Sequence, residues 1–188
     1  MKRFTAMLTG VILALAAATA SADAYDTALK NFRDAGQSAG FFSRSYGYAL
    51  FPTIGKAGLV IGGAHGDGKI YVGGRYVGDS TVTRLSLGFQ AGAQAYSQIV
   101  FFENKAAFDA FTSNDFEFSA GASAVLITAG ATAEAGTTGA SASASVTKKD
   151  ATTVGQFEKG MAVFSIVKGG AMYEASLGGQ KYTYKAAK

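Results

Sequence analysis

Between Tyr25 and Gly40, apolar residues recur at spacings of three and four. Ala28, Leu29, Phe32 and Ala35 share one side of a helical wheel, while Lys30, Arg33 and Asp34 fall elsewhere on it. The spacing predicts a short amphipathic helix, capped by Asp26 or Thr27 and weakened at its end by Gly36 and Gly40. Phe41 and Phe42 follow, beside Arg44. Beyond Tyr46 the period drops to two. Leu85, Leu87, Phe89, Ala91, Ala93 and Ala95 alternate with Ser86, Gly88, Gln90, Gly92, Gln94 and Tyr96, the pattern of one strand with one buried face. Leu59-Val60-Ile61 and Lys69-Ile70-Tyr71-Val72 flank Gly62-Gly63-Ala64-His65-Gly66-Asp67-Gly68, which reads as a hairpin with a glycine-rich turn. Met161 to Val167, Ala171 to Leu177 and Gln180 to Tyr184, separated by Lys168-Gly169-Gly170 and Gly178-Gly179, read as a meander of two hairpins. One internal helix is expected at Asn104 to Phe111, with Asn104 as its cap and Ala107, Phe108 and Phe111 turned to the sheet.

These elements predict an α+β fold that is mainly antiparallel β: a curved sheet or barrel-like meander with a few peripheral helices. Phe116-Glu117-Phe118 and Val125-Leu126-Ile127 read as further strands. Residues 134–146 are almost entirely small and polar and leave loop and strand equally open. The C-terminal meander is too small to fold alone, so residues 46–188 read as one domain behind an amphipathic segment at 25–45.

The first 24 residues carry a different signal. Met1-Lys2-Arg3 is basic, residues 6–18 are apolar, and Thr19-Ala20-Ser21-Ala22-Asp23-Ala24 is small. That order is the layout of a secretory signal peptide, cleaved after Ala24 or after Ala22. The apolar run falls short of the roughly 20 residues that a membrane-spanning helix needs. The mature chain is expected to be exported, periplasmic or associated with the envelope. Cleavage after Ala24 leaves fifteen cations against twelve acids, a net charge of +3. That is far from the dense basic stripe of a nucleic-acid binder.

Composition removes much chemistry. Cysteine is absent, so there are no disulfides, thiolate metal sites, thiol nucleophiles or lipid-acceptor cysteines. His65 is the single histidine, and alone it supplies neither a histidine metal site nor a triad with a Gly-x-Ser-x-Gly turn. The glycine run at 62–68 lacks the helix and the Gly-Lys-Ser/Thr ending of a phosphate-binding loop. Asp109, Asp115 and Glu117 are the nearest approach to a carboxylate cluster, and they read as solvated surface. The chain is expected to be no enzyme and to carry no cofactor.

Four stretches, in order, resemble the SYLF domain, the lipid-binding family that also includes the yeast actin-patch proteins. They are Tyr48 to Gly63 with its Phe51-Pro52 and Lys56-Ala57-Gly58, Leu87 to Gln94 with its spaced glycines and glutamines, Phe116 to Ala122, and Lys168 to Gly179. The likeness runs from about Tyr46 to Tyr184. Where many members carry Trp-Ser-x-Pro, this chain has Tyr76-Val77-Gly78-Asp79-Ser80. The resemblance implies affinity for anionic phospholipid through an amphipathic N-terminal segment and nearby basic residues, and it does not imply actin binding. The candidate lipid-binding residues are Leu29, Phe32, Phe41 and Phe42 as apolar anchors, with Lys30, Arg33, Arg44 and Lys56 as cations. Each cation near an anionic surface contributes about 1 kcal/mol, so four give about 4 kcal/mol, a millimolar contact.

The functional expectation is an exported, non-enzymatic module attached peripherally to anionic membrane. The alternatives are a small outer-membrane β-barrel, opposed by the helix at Asn104 and the Lys185-Ala186-Ala187-Lys188 ending, and a periplasmic structural or protein-interaction module.

Overall fold

The computed structural model describes residues 22–58, 61–87, 93–113, 116–118, 125–127, 156–169 and 179–188, with side chains except at 56–58, 61–62, 85–87, 93–94, 125–127 and 169. Helix α1 covers residues 22–34; α2 (Gly36–Ala39) and a turn at 40–44 follow. The strands are β1 (Gly47–Gly58), β2 (Ile61–Val72), β3 (Arg75–Leu87) and β4 (Ala93–Phe102), then β5 (Phe116–Glu117), β6 (Val125–Ile127), β7 (Met161–Gly169) and β8 (Gln180–Ala186). Helix α3 (Lys105–Phe111) lies between β4 and β5. The strands form one sheet in the order β5-β8-β3-β2-β1-β4-β7-β6, curled into a half-barrel. Only β6 on β7 is parallel among the described pairs. That order, with its crossovers and parallel pair, departs from the sequential antiparallel neighbours of an outer-membrane barrel.

The curl makes two cores. Inside it, Phe51, Ile54, Ile70, Val82, Val100, Phe102 and Tyr182 pack with Ala107 and Phe111 of α3. On the outer face, Leu50, Ile99, Phe101, Phe164 and Ile166 are covered by Ala28, Phe32 and Phe41. Successive residues of each strand therefore serve opposite cores, as period-two geometry requires. This explains why Leu50-Phe51 and Phe101-Phe102 are consecutive apolar pairs rather than alternating ones.

Helix α3 is as expected. Asn104 Oδ1 accepts from the Ala107 N–H at 3.0 Å, and Ala107 and Phe111 are buried. In the N-terminal segment the structure moves the boundaries: Asp26 and Thr27 lie inside α1 rather than at its cap, because the helix already includes residues 22–24. A cut after Ala24 would remove those three residues, and a cut after Ala22 only one.

The glycine-rich turn expected at Gly62–Gly68 is instead the body of β2. Glycine is used there for close approach. A Cβ on Gly68 would collide with the Phe51 ring edge and lie 2.9 Å from the Leu50 carbonyl oxygen. One on Gly66 would come within 2.8 Å of the Thr53 carbonyl oxygen. The β2–β3 turn falls at Gly73-Gly74, both with positive φ (56° and 78°), as a two-residue hairpin loop demands. Gly68→Ala is therefore expected to destabilise the fold by about 1–3 kcal/mol, the range for overpacking, read as a lower denaturation midpoint.

Two further expectations are corrected. The alternating run from Leu85 to Tyr96 belongs to two strands, β3 ending at Leu87 and β4 starting at Ala93, and β2 and β1 separate them in the sheet. Of the expected C-terminal meander, β7 pairs with β4 and β8 with β3 on the other side of the sheet, while its middle strand falls on residues that are not described. Residues 171–177 and 134–146 lie outside the described residues.

Candidate lipid-facing surface

The sequence-predicted anchors separate into two kinds. Phe32 and Phe41 are buried. Phe41 packs on Phe101, Phe157 and Phe164 with centroids 5.5, 5.1 and 4.9 Å away. Ser38 Oγ donates to the Phe32 carbonyl at 2.6 Å, and Ser45 Oγ donates to that of Phe41 at 2.6 Å, pinning the segment down. Leu29 and Phe42 are half-buried at its margin, Phe42 standing edge-on to Tyr48 and Phe101. The apolar side of α1 thus lies against the sheet, and in this arrangement Leu29 and Phe42 are the anchors with surface to offer.

Of the cations here, one is paired with an acid and two lie over the rings. Lys30 is exposed and pairs with Asp34 one turn on. The Arg33 guanidinium stands 5.4 Å above the Phe42 ring, and that of Arg44 lies 4.0 Å above Phe41 and 5.7 Å from Phe157. Across residues 22–44, Lys30, Arg33 and Arg44 are offset by Asp23, Asp26 and Asp34, and a cut after Ala24, which removes Asp23, leaves this segment a side-chain charge of +1. Lys56 is elsewhere. It lies nine residues beyond Gly47 along β1, about 30 Å at strand rise, in register with Ala64 and Gln94.

Two side-chain groups were not expected from the sequence. Outside, tyrosines gather where α1 meets the β2–β3 hairpin. Lys69 Nζ lies 4.5 Å over the Tyr25 ring, Tyr71 stacks on Tyr48 at 5.2 Å, and Tyr76 stands 6.1 Å from Tyr71. Tyr76 is 43% exposed, and a hydrogen bond to Asp79 pushes its phenol up to about 12. Burial, then Asp67 and Asp79, raise Tyr25 further.

Inside, a polar network crosses the lumen between β4 and β8, which three strands separate in the sheet. Tyr182 Oη lies 2.7 Å from both Gln98 Oε1 and Gln180 Oε1, and Gln180 Nε2 donates to Tyr96 Oη at 3.0 Å. A phenol has one proton, so Tyr182 serves one amide oxygen at a time. Burial raises Tyr182 well above the usual phenol range, and it pushes Tyr96 up to about 12 despite Arg84 nearby.

His65 lies exposed in mid-strand, 3.8 Å from Asp67. Asp109 pairs with Lys105 at 2.7 Å, Glu117 is exposed, and Asp115 lies outside the described residues. Among the described residues no three His, Cys, Asp or Glu side chains gather to hold a metal ion, and no helix is long and apolar enough to cross a membrane.

A half-barrel sheet with an amphipathic helix across its outer face and a second helix packed on its inner core defines the class. The family described as Ysc84, Las17-binding protein actin regulator, matches residues 83–187, more than half of the chain. The chain belongs to this family, the SYLF domain family of the sequence resemblance. No curated protein matches it.

Proposed function

We propose that this chain is an exported, non-enzymatic module that attaches peripherally to anionic phospholipid surfaces. Membership of the SYLF family carries the reading, because the resemblance implies lipid affinity. The α1 face supports it with Arg33, Arg44, Leu29 and Phe42, the cations held over rings at the edge of an aromatic cluster. Lys30 adds little while Asp34 neutralises it. Two cations at about 1 kcal/mol each leave this face well short of a stable contact by itself. An exported chain would not meet actin, so the family description's actin regulation is not carried over. Lys30→Glu with Arg33→Glu is expected to weaken co-sedimentation with anionic vesicles several-fold. Unchanged binding would take α1 out of the contact.

A further inference from the structure

Register gathers a second set of cations at the end of the half-barrel remote from the β2–β3 turn. One transverse row joins Lys56, Ala64, Arg84 and Gln180 across β1, β2, β3 and β8. The row beside it joins Gly55, His65, Thr83, Lys181 and Glu117. Lys168 sits at the same level, at the register shift where Ala95 faces Gly169 and Tyr96 faces Val167. Its Nζ donates to Thr53 Oγ1 at 3.0 Å, on the side of the sheet where Ala162, Phe164 and Ile166 pack beneath α1. At these register positions Lys56, Arg84, Lys168 and Lys181 share a level with one acid among the described residues, Glu117; Asp67 follows two residues further along β2. Residues 25–44 sum to +1 in side-chain charge, whereas the four cations and one acid at these collar positions sum to +3.

Past the collar the strands run on without a charged residue: Ala57-Gly58 on β1, Ile61-Gly62-Gly63 on β2 and Leu85-Ser86-Leu87 on β3. Leu87 lies three residues beyond Arg84, about 10 Å at strand rise. Interfacial segments sink about 5–10 Å into the headgroup–acyl boundary, so the uncharged length matches that depth. A soluble anion would engage the collar alone, whereas a bilayer would also take up the uncharged strand ends.

We infer that this end of the half-barrel is the deeper part of the lipid contact, with the uncharged ends of β1, β2 and β3 seated at the boundary and the collar on anionic headgroups. The inference rests on the lipid-binding reading above. Lys168 places part of the collar on the side of the sheet that α1 covers.

The test uses vesicles of equimolar phosphatidylcholine and phosphatidylglycerol at low salt. Lys168→Glu with Lys181→Gln is expected to weaken binding at least about tenfold. Because the chain has no tryptophan, Leu87→Trp gives a single reporter whose emission shifts to the blue when vesicles are added. Ile61→Trp, at the register partner of Leu87, repeats the test should the first variant misfold. A wild-type chain that binds while the charge variant binds equally, or while both end reporters stay unshifted, overturns this inference and leaves the lipid-binding reading standing. A wild-type chain that binds no vesicle overturns both.

Discussion

Truncation of Phe41 to alanine is expected to lower the stability of the fold by about 3–5 kcal/mol. The ring is enclosed by Phe101, Phe157 and Phe164, and the Arg44 guanidinium closes its remaining face at 4.0 Å. Its removal empties the junction between the N-terminal segment and the outer face of the sheet, where neighbouring rings cannot collapse far without leaving β4 and β7. Arg44 also loses the ring it lies on. A denaturation curve reads the effect as a lower midpoint. Were Phe41 instead an anchor held ready for the membrane, the midpoint would hold and vesicle affinity would fall.

Tyr182→Ala should be at least as damaging, for two separable reasons. The ring packs against Phe51, Phe111 and Phe118, with centroids 5.6, 4.9 and 5.7 Å away, and its loss is worth about 3–5 kcal/mol. Its hydroxyl also serves the Gln98 and Gln180 amides, and stranding a buried polar group costs about 1–3 kcal/mol more. Tyr182→Phe isolates the second part. Alkaline pH gives an independent check. The folded phenol is raised above the unfolded value near 10. Its contribution is therefore complete below about pH 10 and is lost as pH rises beyond it, because only the unfolded chain ionises freely. Tyr182→Phe should flatten that alkaline decline, with Tyr96, at about 12, accounting for part of what remains.

What could be read from the sequence was local. Asn104 announces α3 because a side-chain oxygen followed by an apolar face is a complete statement of a helix start. The face of α1 was equally legible, with Ala28, Leu29 and Phe32 at helical spacing, yet its destination was not. An apolar stripe has the same pattern whether it covers a sheet or dips into lipid, and only the burial of Phe32 and Phe41 separates the two. Gly62 to Gly68 misled because glycine marks turns, while here Gly66 and Gly68 make room for Ile54 and Phe51 on the neighbouring strand. The run from Leu85 to Tyr96 misled differently, since alternation continues across two strands that never pair.

The lumen network and the collar were invisible for one reason. Gln98 meets Gln180 and Tyr182 from 82 and 84 residues away, and Lys56 shares a row with Arg84 only once β1, β2 and β3 are aligned. Sequence marked Lys56 as a candidate cation but grouped it with Lys30, Arg33 and Arg44. The sheet instead places it at the level of Arg84, Lys168 and Lys181, where β1, β2 and β3 carry no charged residue further on.

The central claim, peripheral attachment to anionic membrane, is tested most directly by sedimenting the purified chain with neutral and with anionic vesicles across a salt series. The account predicts binding to the anionic vesicles alone, weakening as salt screens the cations. Equal binding to both vesicle types, or no binding to either at low salt, would contradict it.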